Sequence, residues 1–201
     1  MASPVSTTLL TTVAERGEFA AGSRIAAVLF VTVLTAIGAQ VSIPLPFTPV
    51  PLTLQPVIVL LGGAVLGARL GMLSQALYLV AGAAGLPVFA ASPLLPPGLL
   101  RLLGPTGGFL LAYPFAAFVT GWLAERGLGR RYFSSVVAMM LGLAVIFACG
   151  LTWLAFFANG AVGLPNALRL GLYPFVVVDV AKILLAAAIL PALWKAIAPR
   201  Q

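Results

Sequence analysis

Long stretches without a charged residue constrain this chain more than any other feature. No Asp, Glu, Lys or Arg occurs at 25–68, 70–100, 102–124 or 132–168. A transmembrane helix needs about 20 consecutive apolar residues, so each stretch is long enough for at least one span. The whole chain is 62% hydrophobic and 7% charged, whereas an ordinary soluble domain has about 25% charged residues. Lipid is therefore expected to be the main solvent of this chain.

Proline and glycine clusters divide these stretches into about six predicted transmembrane helices. The predicted helices cover roughly 23–41, 54–68, 70–84, 106–124, 133–158 and 170–197. Arg69 is expected in a tight turn between the second and third helices, which are short, and 85–105 and 159–169 are expected to be loops. The predicted fold is an all-α membrane bundle, with a cytoplasmic tail at 1–22 and one transmembrane domain at 23–198.

The distribution of Arg and Lys predicts the orientation of this bundle. Six helices place both ends of the chain on one side, which then carries eight of the eleven basic residues. Arg101 and Arg169 fall on the opposite side, and Lys182 lies within a span. Because cytoplasmic loops are enriched in Arg and Lys, the prediction is N-in and C-in. The long external loops, whose charged residues are Arg101 and Arg169, are expected to be ordered and to build the binding site.

Composition also excludes several classes of function. The chain has a net charge of +7, but its basic residues are scattered, which argues against a nucleic-acid surface. It has no His and a single Cys, so a His-based metal site and a Ser-His-Asp triad are excluded. With only four acidic residues and no nucleophile–base pair, we expect no enzyme activity, no metal and no cofactor.

Asp179 and Lys182 are the most informative residues, because they lie in the apolar stretch 173–190. Each charge deep in a span costs about 2.5–3.5 kcal/mol on insertion scales. Their spacing of three residues places them on one helix face. A structural ion pair is one interpretation. The other is a pocket for a small, mainly apolar ligand with an acid at one end, where Asp179 accepts N–H groups and Lys182 attracts a carboxylate.

Two loop motifs are further candidates for ligand contacts. In GPTGG, Gly107 and Gly108 would let a ligand approach backbone N–H groups at a helix start. In PLPFTPVPLTLQ, Thr53 and Gln55 offer hydrogen-bond partners. Each motif has a simpler interpretation, a tight turn for the first and a stiff connector for the second.

Aromatic and small residues supply the remaining candidates. Phe89 and Tyr173 belong to a set of aromatic residues near span ends, where most serve as interfacial anchors and one or two could stack on a ligand ring. Thr32 and Ala36 on the first helix are small residues at four-residue spacing, which allows close helix approach. That face is either an internal seam or a docking surface for another subunit.

Four motifs in order along the chain resemble one known family. They are PVPLTLQ at 49–55, LGARLGMLSQALYLVAGAAGLPVF at 66–89, GPTGGF at 104–109 and the D-x-x-K pair of Asp179 and Lys182. Together they resemble BioY, the biotin-specific S component of energy-coupling-factor (ECF) ABC transporters. The resemblance runs from about residue 26 to residue 190.

The resemblance implies a six-helix fold that binds biotin near the external side, under loops. It places Asp179 and Lys182 at the biotin site, and more loosely the two loop motifs. It also implies a multi-pass protein of the cell inner (cytoplasmic) membrane, which delivers biotin with a transmembrane coupling (T) subunit and two ABC ATPase subunits. The first helix, with Thr32 and Ala36, would be the docking face.

The chain departs from the family pattern in places. The segment 90–103 is rich in Pro and Leu instead of Gly, and Val178 replaces a common glycine. A self-sufficient permease for biotin or another small carboxylate remains the alternative function, and an intramembrane enzyme lacks the required residues.

Overall fold

The computed structural model describes residues 20–91, 98–158 and 161–197, so the predicted tail at 1–22 lies almost wholly outside the described residues. Helices dominate the described part. They are α1 Ala20–Gln40, α2 Gln55–Leu66, α3 Ala68–Ala83, α4 Leu100–Leu103, α5 Gly107–Leu111, α6 Tyr113–Leu123, α7 Tyr132–Thr152, α8 Leu164–Gly171, α9 Tyr173–Ala186 and α10 Ile189–Ile197. Two short turns, Ala124–Leu128 and Trp153–Phe157, extend α6 and α7, and the first is kinked at Gly127, whose φ is 94°.

Four of these helical segments are long and apolar enough to cross a membrane. They cover Ala21–Gln40, Gly107–Leu128, Tyr132–Phe157 and Tyr173–Ala196. Helices α2 and α3 have 12 and 16 residues, fewer than the roughly 20 needed for a straight span. The helical membrane fold is thus confirmed, whereas the count of six spans and the N-in orientation stay predictions.

The surface of α1 fits contact with lipid. Ile25, Phe30 and Ile37 are more than half exposed along its outer face. The core lies instead between α2, α3, α6 and α7, where Leu60 and Met139 are fully buried. An apolar exterior around a packed interior is what a bilayer solvent allows, because lipid does not penalise exposed apolar side chains.

Several predicted boundaries were wrong, and proline or glycine geometry explains most of the differences. Arg69 lies inside α3, because Gly67 forms the junction with a φ of 86° that favours glycine. Helix α8 occupies part of the predicted loop at 159–169, with Pro165 in its first turn, where proline fits a helix well. The predicted last helix, 170–197, is broken at Leu172, just before Pro174 opens α9, and again at residues 187–188.

The loop between α1 and α2 is ordered by a small β-ladder. Strand β1 (Ser42–Ile43) pairs antiparallel with β2 (Leu52–Thr53). The loop is anchored to the far side of the bundle, because the Thr48 hydroxyl donates to the Leu170 carbonyl over 2.7 Å. The proline-rich motif therefore has a fixed position over the helix ends.

Glycines bring three helix backbones into direct contact at another place in the bundle. A Cβ added at Gly121 would lie 2.5 Å from the Ala68 nitrogen, and one at Gly71 would lie 2.8 Å from the Gly63 Cα. A Cβ at Gly63 would collide with the Ala117 carbonyl oxygen. We call Gly63, Gly71 and Gly121 the glycine junction. It fixes how α2, α3 and α6 cross.

Candidate ligand-binding site

The loops over the helix ends enclose a cavity of about 140 Å³, which we call the large cavity. Its walls come from the α1–α2 loop, the start of α2, the segment after α3 and the helices α4 to α6. The lining residues are Pro44, Leu45, Thr48, Pro49, Val50, Pro51, Thr53, Gln55, Phe89, Ala90, Ala91, Arg101, Thr106, Phe109, Leu110 and Tyr113. The walls are thus mainly apolar, with a few polar groups.

A second cavity of about 50 Å³, the small cavity, lies directly beside the large one. Asp179 and Phe175 of α9 and Phe147 of α7 belong to its lining. The two cavities share the lining residues Val50, Pro51, Thr53, Phe109 and Tyr113. The two cavities are therefore adjacent and share a wall, with Arg101 in the lining of the large cavity and Asp179 in the lining of the small one.

The ion pair predicted from sequence is present, and it connects α9 to the proline-rich loop. Lys182 Nζ donates to Asp179 Oδ1 over 2.8 Å and to the Thr53 carbonyl oxygen over 2.7 Å. Asp179 is only 5% exposed. A buried carboxylate is stable only when it is paired and hydrogen-bonded, so Lys182 keeps an acceptor group in the wall of the small cavity.

A second polar chain runs behind the large cavity. Gln55 Nε2 donates to the Tyr78 hydroxyl over 2.6 Å, and that hydroxyl donates to the Val88 carbonyl over 3.1 Å. The Tyr78 ring meets the Phe89 ring edge-on, with centroids 5.4 Å apart. Aromatic pairs in this geometry are stabilising beyond their burial. The amide of Gln55 is thus oriented by its neighbours.

Arg101 supplies a positive group in the large cavity. Its side chain is buried, and Nη1 donates to the Ala90 carbonyl over 2.6 Å. Burial lowers the pKa of the Arg101 guanidinium from its ordinary value, because desolvation disfavours the charged form. A bound anion would offset that cost. Among the described residues no group of metal-ligating side chains occurs.

The structure brings some of the predicted site residues together and leaves others apart. The cavities are lined by Thr53, Gln55, Phe89 and Asp179. Lys182 lines neither cavity and donates hydrogen bonds to Asp179 and to the Thr53 carbonyl.

Gly107 and Gly108 are packing positions rather than cavity walls. A Cβ at Gly107 would collide with the Leu102 carbonyl oxygen, and one at Gly108 with Trp153. The Trp153 indole also donates to the Gly104 carbonyl over 2.9 Å, which fixes the GPTGG turn. Tyr173 is 62% exposed and lines neither cavity.

The small residues of α1 face inward. The Thr32 hydroxyl donates to the Ser74 carbonyl of α3 over 2.9 Å, and Ala36 packs against the core. Of the two interpretations of this face, the structure favours the internal seam.

Arg101, Tyr78 and Phe109 are site residues that were not predicted from the sequence. Arg101 is the single charged residue between residues 70 and 124, which was a usable signal, but it lies in the segment that departs from the family pattern. Tyr78 and Phe109 carry no comparable signal, because they lie in apolar helices where most such residues form core.

Comparison with known proteins identifies the family. The BioY family model matches residues 10–199. A probable biotin transporter BioY of Pyrococcus horikoshii is 45% identical over 157 residues, covering 77% of this chain and 85% of that protein. The biotin transporter BioY of Thermotoga maritima is 42% identical over 159 residues, covering 79% and 88%.

A crystal structure of the S-component for biotin from an ECF-type ABC transporter superposes with a TM-score of 0.79. It is 26% identical in sequence, and the match covers 89% of this chain and 94% of that one. The motif resemblance is thereby confirmed over nearly the whole chain. BioY is a family of transporters and not of enzymes, and this chain, a multi-pass helical membrane protein, belongs to the BioY family.

Proposed function

We propose that this chain is the biotin-binding subunit of a vitamin uptake transporter, and that biotin occupies the two adjacent cavities. The observation that carries the proposal is the Asp179 carboxylate, held by Lys182 in the wall of the small cavity. Biotin has a ureido ring with two N–H donors at one end and a carboxylate at the other. Asp179 lines the small cavity and Arg101 lines the large one, so each cavity offers a partner for one end of biotin.

The chemistry favours one direction of binding. An ionised carboxylate accepts hydrogen bonds and donates none. The ureido N–H groups therefore match the carboxylate of Asp179. The ligand carboxylate matches the Arg101 guanidinium, whose planar fork suits carboxylates. The apolar ring and chain would then pass Phe109 and Tyr113, which line both cavities.

Lys182 has an indirect role in this arrangement. From the sequence, Lys182 was predicted to bind the ligand carboxylate, but its ammonium group donates hydrogen bonds to Asp179 and to the Thr53 carbonyl. We propose that it keeps the Asp179 acceptor charged and ties the proline-rich loop to α9. Gln55, Thr53 and Phe89 complete the wall, while Gly107, Gly108 and Tyr173 have no ligand contact.

The family and the distribution of basic residues support a proposal for the membrane topology and the partner subunits. We propose six spans in the cell inner (cytoplasmic) membrane, with N-in and C-in orientation and capture of biotin at the external side. Import would then be driven by a separate module of a T subunit and two ABC ATPases. This is supported by the match to the biotin S-component of an ECF-type ABC transporter.

Titration of the detergent-purified protein with biotin tests binding. We expect one saturable site per chain, and absence of heat and of any thermal stabilisation by biotin would contradict the proposal. Uptake into liposomes then separates the leading function from the alternative. The subunit alone should bind biotin without accumulating it, and uptake should require the energising module with ATP. Accumulation by the protein alone would establish a self-sufficient permease.

A further inference from the structure

The segment Pro87–Ala90, which we call the strap, is held by side chains at every one of its carbonyl groups. The Pro87 and Phe89 carbonyls accept from Gln40 Nε2 over 3.2 and 3.5 Å. The Val88 carbonyl accepts from the Tyr78 hydroxyl over 3.1 Å, and the Ala90 carbonyl from Arg101 Nη1 over 2.6 Å. Three helices, α1, α3 and α4, thus hold four consecutive peptide groups.

The strap determines where one wall of the large cavity lies. Phe89 is 7% exposed and lines that cavity. Its ring lies over Gly82 so closely that a Cβ there would collide with it. No helix or strand includes the strap, so the backbone that carries Phe89 depends on the surrounding side chains for its position.

Gln40 differs from the other two donors of the strap. Arg101 lines the large cavity and Tyr78 is fully buried behind it, so both have other tasks. Gln40 is the last residue of α1, is exposed, and lines neither cavity. Among the described residues, the hydrogen bonds that its side chain makes beyond α1 go to the two strap carbonyls.

We infer that Gln40 is a positioning residue for the binding site: it holds the strap over the large cavity and thereby slows the escape of a bound ligand. This inference rests on the proposed function, because it concerns the exit of biotin from that site. A ligand can leave past Phe89 when the strap moves outward, and each strap hydrogen bond must break for that movement. Gln40 supplies two of the four.

The sharpest variant is Gln40→Glu. It keeps the shape of the side chain but replaces the donor by an acceptor that repels the two carbonyl groups. Gln40→Met is a neutral second variant that only removes the donor. Asn166→Asp is the matched control, since Asn166 is also exposed and its amide donates to the Val162 carbonyl over 3.1 Å, away from both cavities.

The experiment measures the release of labelled biotin from the purified full-length protein after a chase with unlabelled biotin. Loss of hydrogen bonds worth roughly 1–1.5 kcal/mol corresponds to about a tenfold faster dissociation for Gln40→Glu. We expect a smaller acceleration for Gln40→Met and none for Asn166→Asp. The fraction of the purified protein that binds biotin should be equal in all three variants. A merely structural role would lower that fraction and leave the dissociation rate from the folded protein unchanged.

Two outcomes overturn the inference. One is a dissociation rate for Gln40→Glu within twofold of wild type. The other is an equal acceleration in Asn166→Asp. If the wild-type protein does not bind biotin at all, the proposed function fails instead. Hydrogen exchange at the amides of Val88 to Ala90 in the ligand-free protein then tests whether Gln40 holds the strap. Faster exchange in Gln40→Glu supports that role of Gln40, and unchanged exchange contradicts it.

Discussion

At the glycine junction, helix backbones touch one another directly. Around the cavities, by contrast, hydrogen bonds from polar side chains join the loops to the helices. Eight residues along α2 separate Gly63 from Gln55, a rise of about 12 Å. At Gly63 an added methyl group would meet the Ala117 backbone. At Gln55 the contact is a hydrogen bond to Tyr78.

This difference indicates which substitutions should change the stability of the protein and which should change its ligand binding. A glycine contact between backbones cannot adapt, because no flexible side chain is available to move. Polar contacts around the cavities can be exchanged for contacts with a ligand or lost one at a time. Substitutions at the junction should therefore change folding, and substitutions around the cavities should change ligand binding.

The largest effect is expected for Lys182→Met, which removes the ammonium group that serves Asp179 and Thr53. Truncating one partner of a buried charge pair costs about 2–5 kcal/mol of binding. Biotin affinity should fall accordingly in calorimetric titration. Lys195→Met is the control, because Lys195 is an exposed lysine of α10. Equal biotin affinity in wild type and Lys182→Met would show that the ion pair does not contribute to the binding site.

The next effect concerns the carboxylate of the ligand. Biotin amide lacks that charge and should bind the wild-type protein about 1.5–3 kcal/mol more weakly, the worth of a charge-assisted hydrogen bond. In Arg101→Gln the difference between biotin and its amide should disappear. If the difference persists in Arg101→Gln and vanishes in Lys182→Met, the ligand binds with its carboxylate at Lys182.

A somewhat smaller effect, on stability instead of binding, is expected for Gly63→Ala. Overpacking costs about 1–3 kcal/mol, and the colliding atoms belong to the Ala117 backbone. The melting temperature should fall, while the folded fraction binds biotin as well as wild type does. Gly22→Ala is the matched control, since nothing lies within 4 Å of a Cβ there. Weaker binding at unchanged stability in Gly63→Ala would reverse the assignment of the two regions.

The smallest effect tests the inner face of α1. Thr32→Val removes the hydrogen bond to the Ser74 carbonyl and should lower stability by about 1 kcal/mol. Assembly with the energising module should be unchanged, because the side chain faces α3. Unchanged stability with lost assembly would restore the docking interpretation of Thr32 and Ala36.

The sequence predicted the helices better than their interruptions. Apolar stretches determine where helices lie, because no other structure satisfies backbone groups in lipid. The positions of breaks depend on whether a proline opens a helix or ends one. Pro165 opens α8, although the surrounding glycines indicated a loop.

Site residues could be predicted from the sequence where a charged residue occurs within an apolar segment. Asp179 and Lys182 stood out as charges in an apolar helix. Tyr78 did not, because its place behind the large cavity depends on how α3 packs against its neighbours. The role of Gln40 depends on a contact 47 residues away along the chain, which no local pattern reveals.

A structure of the protein with biotin bound tests the central claim most directly. The account predicts density for the ligand across both cavities, with a ureido nitrogen about 2.7–3.2 Å from a carboxylate oxygen of Asp179. The ligand carboxylate should lie within hydrogen-bond distance of the Arg101 guanidinium. Density for biotin outside the two cavities, with no ligand atom within that distance of Asp179, would contradict it.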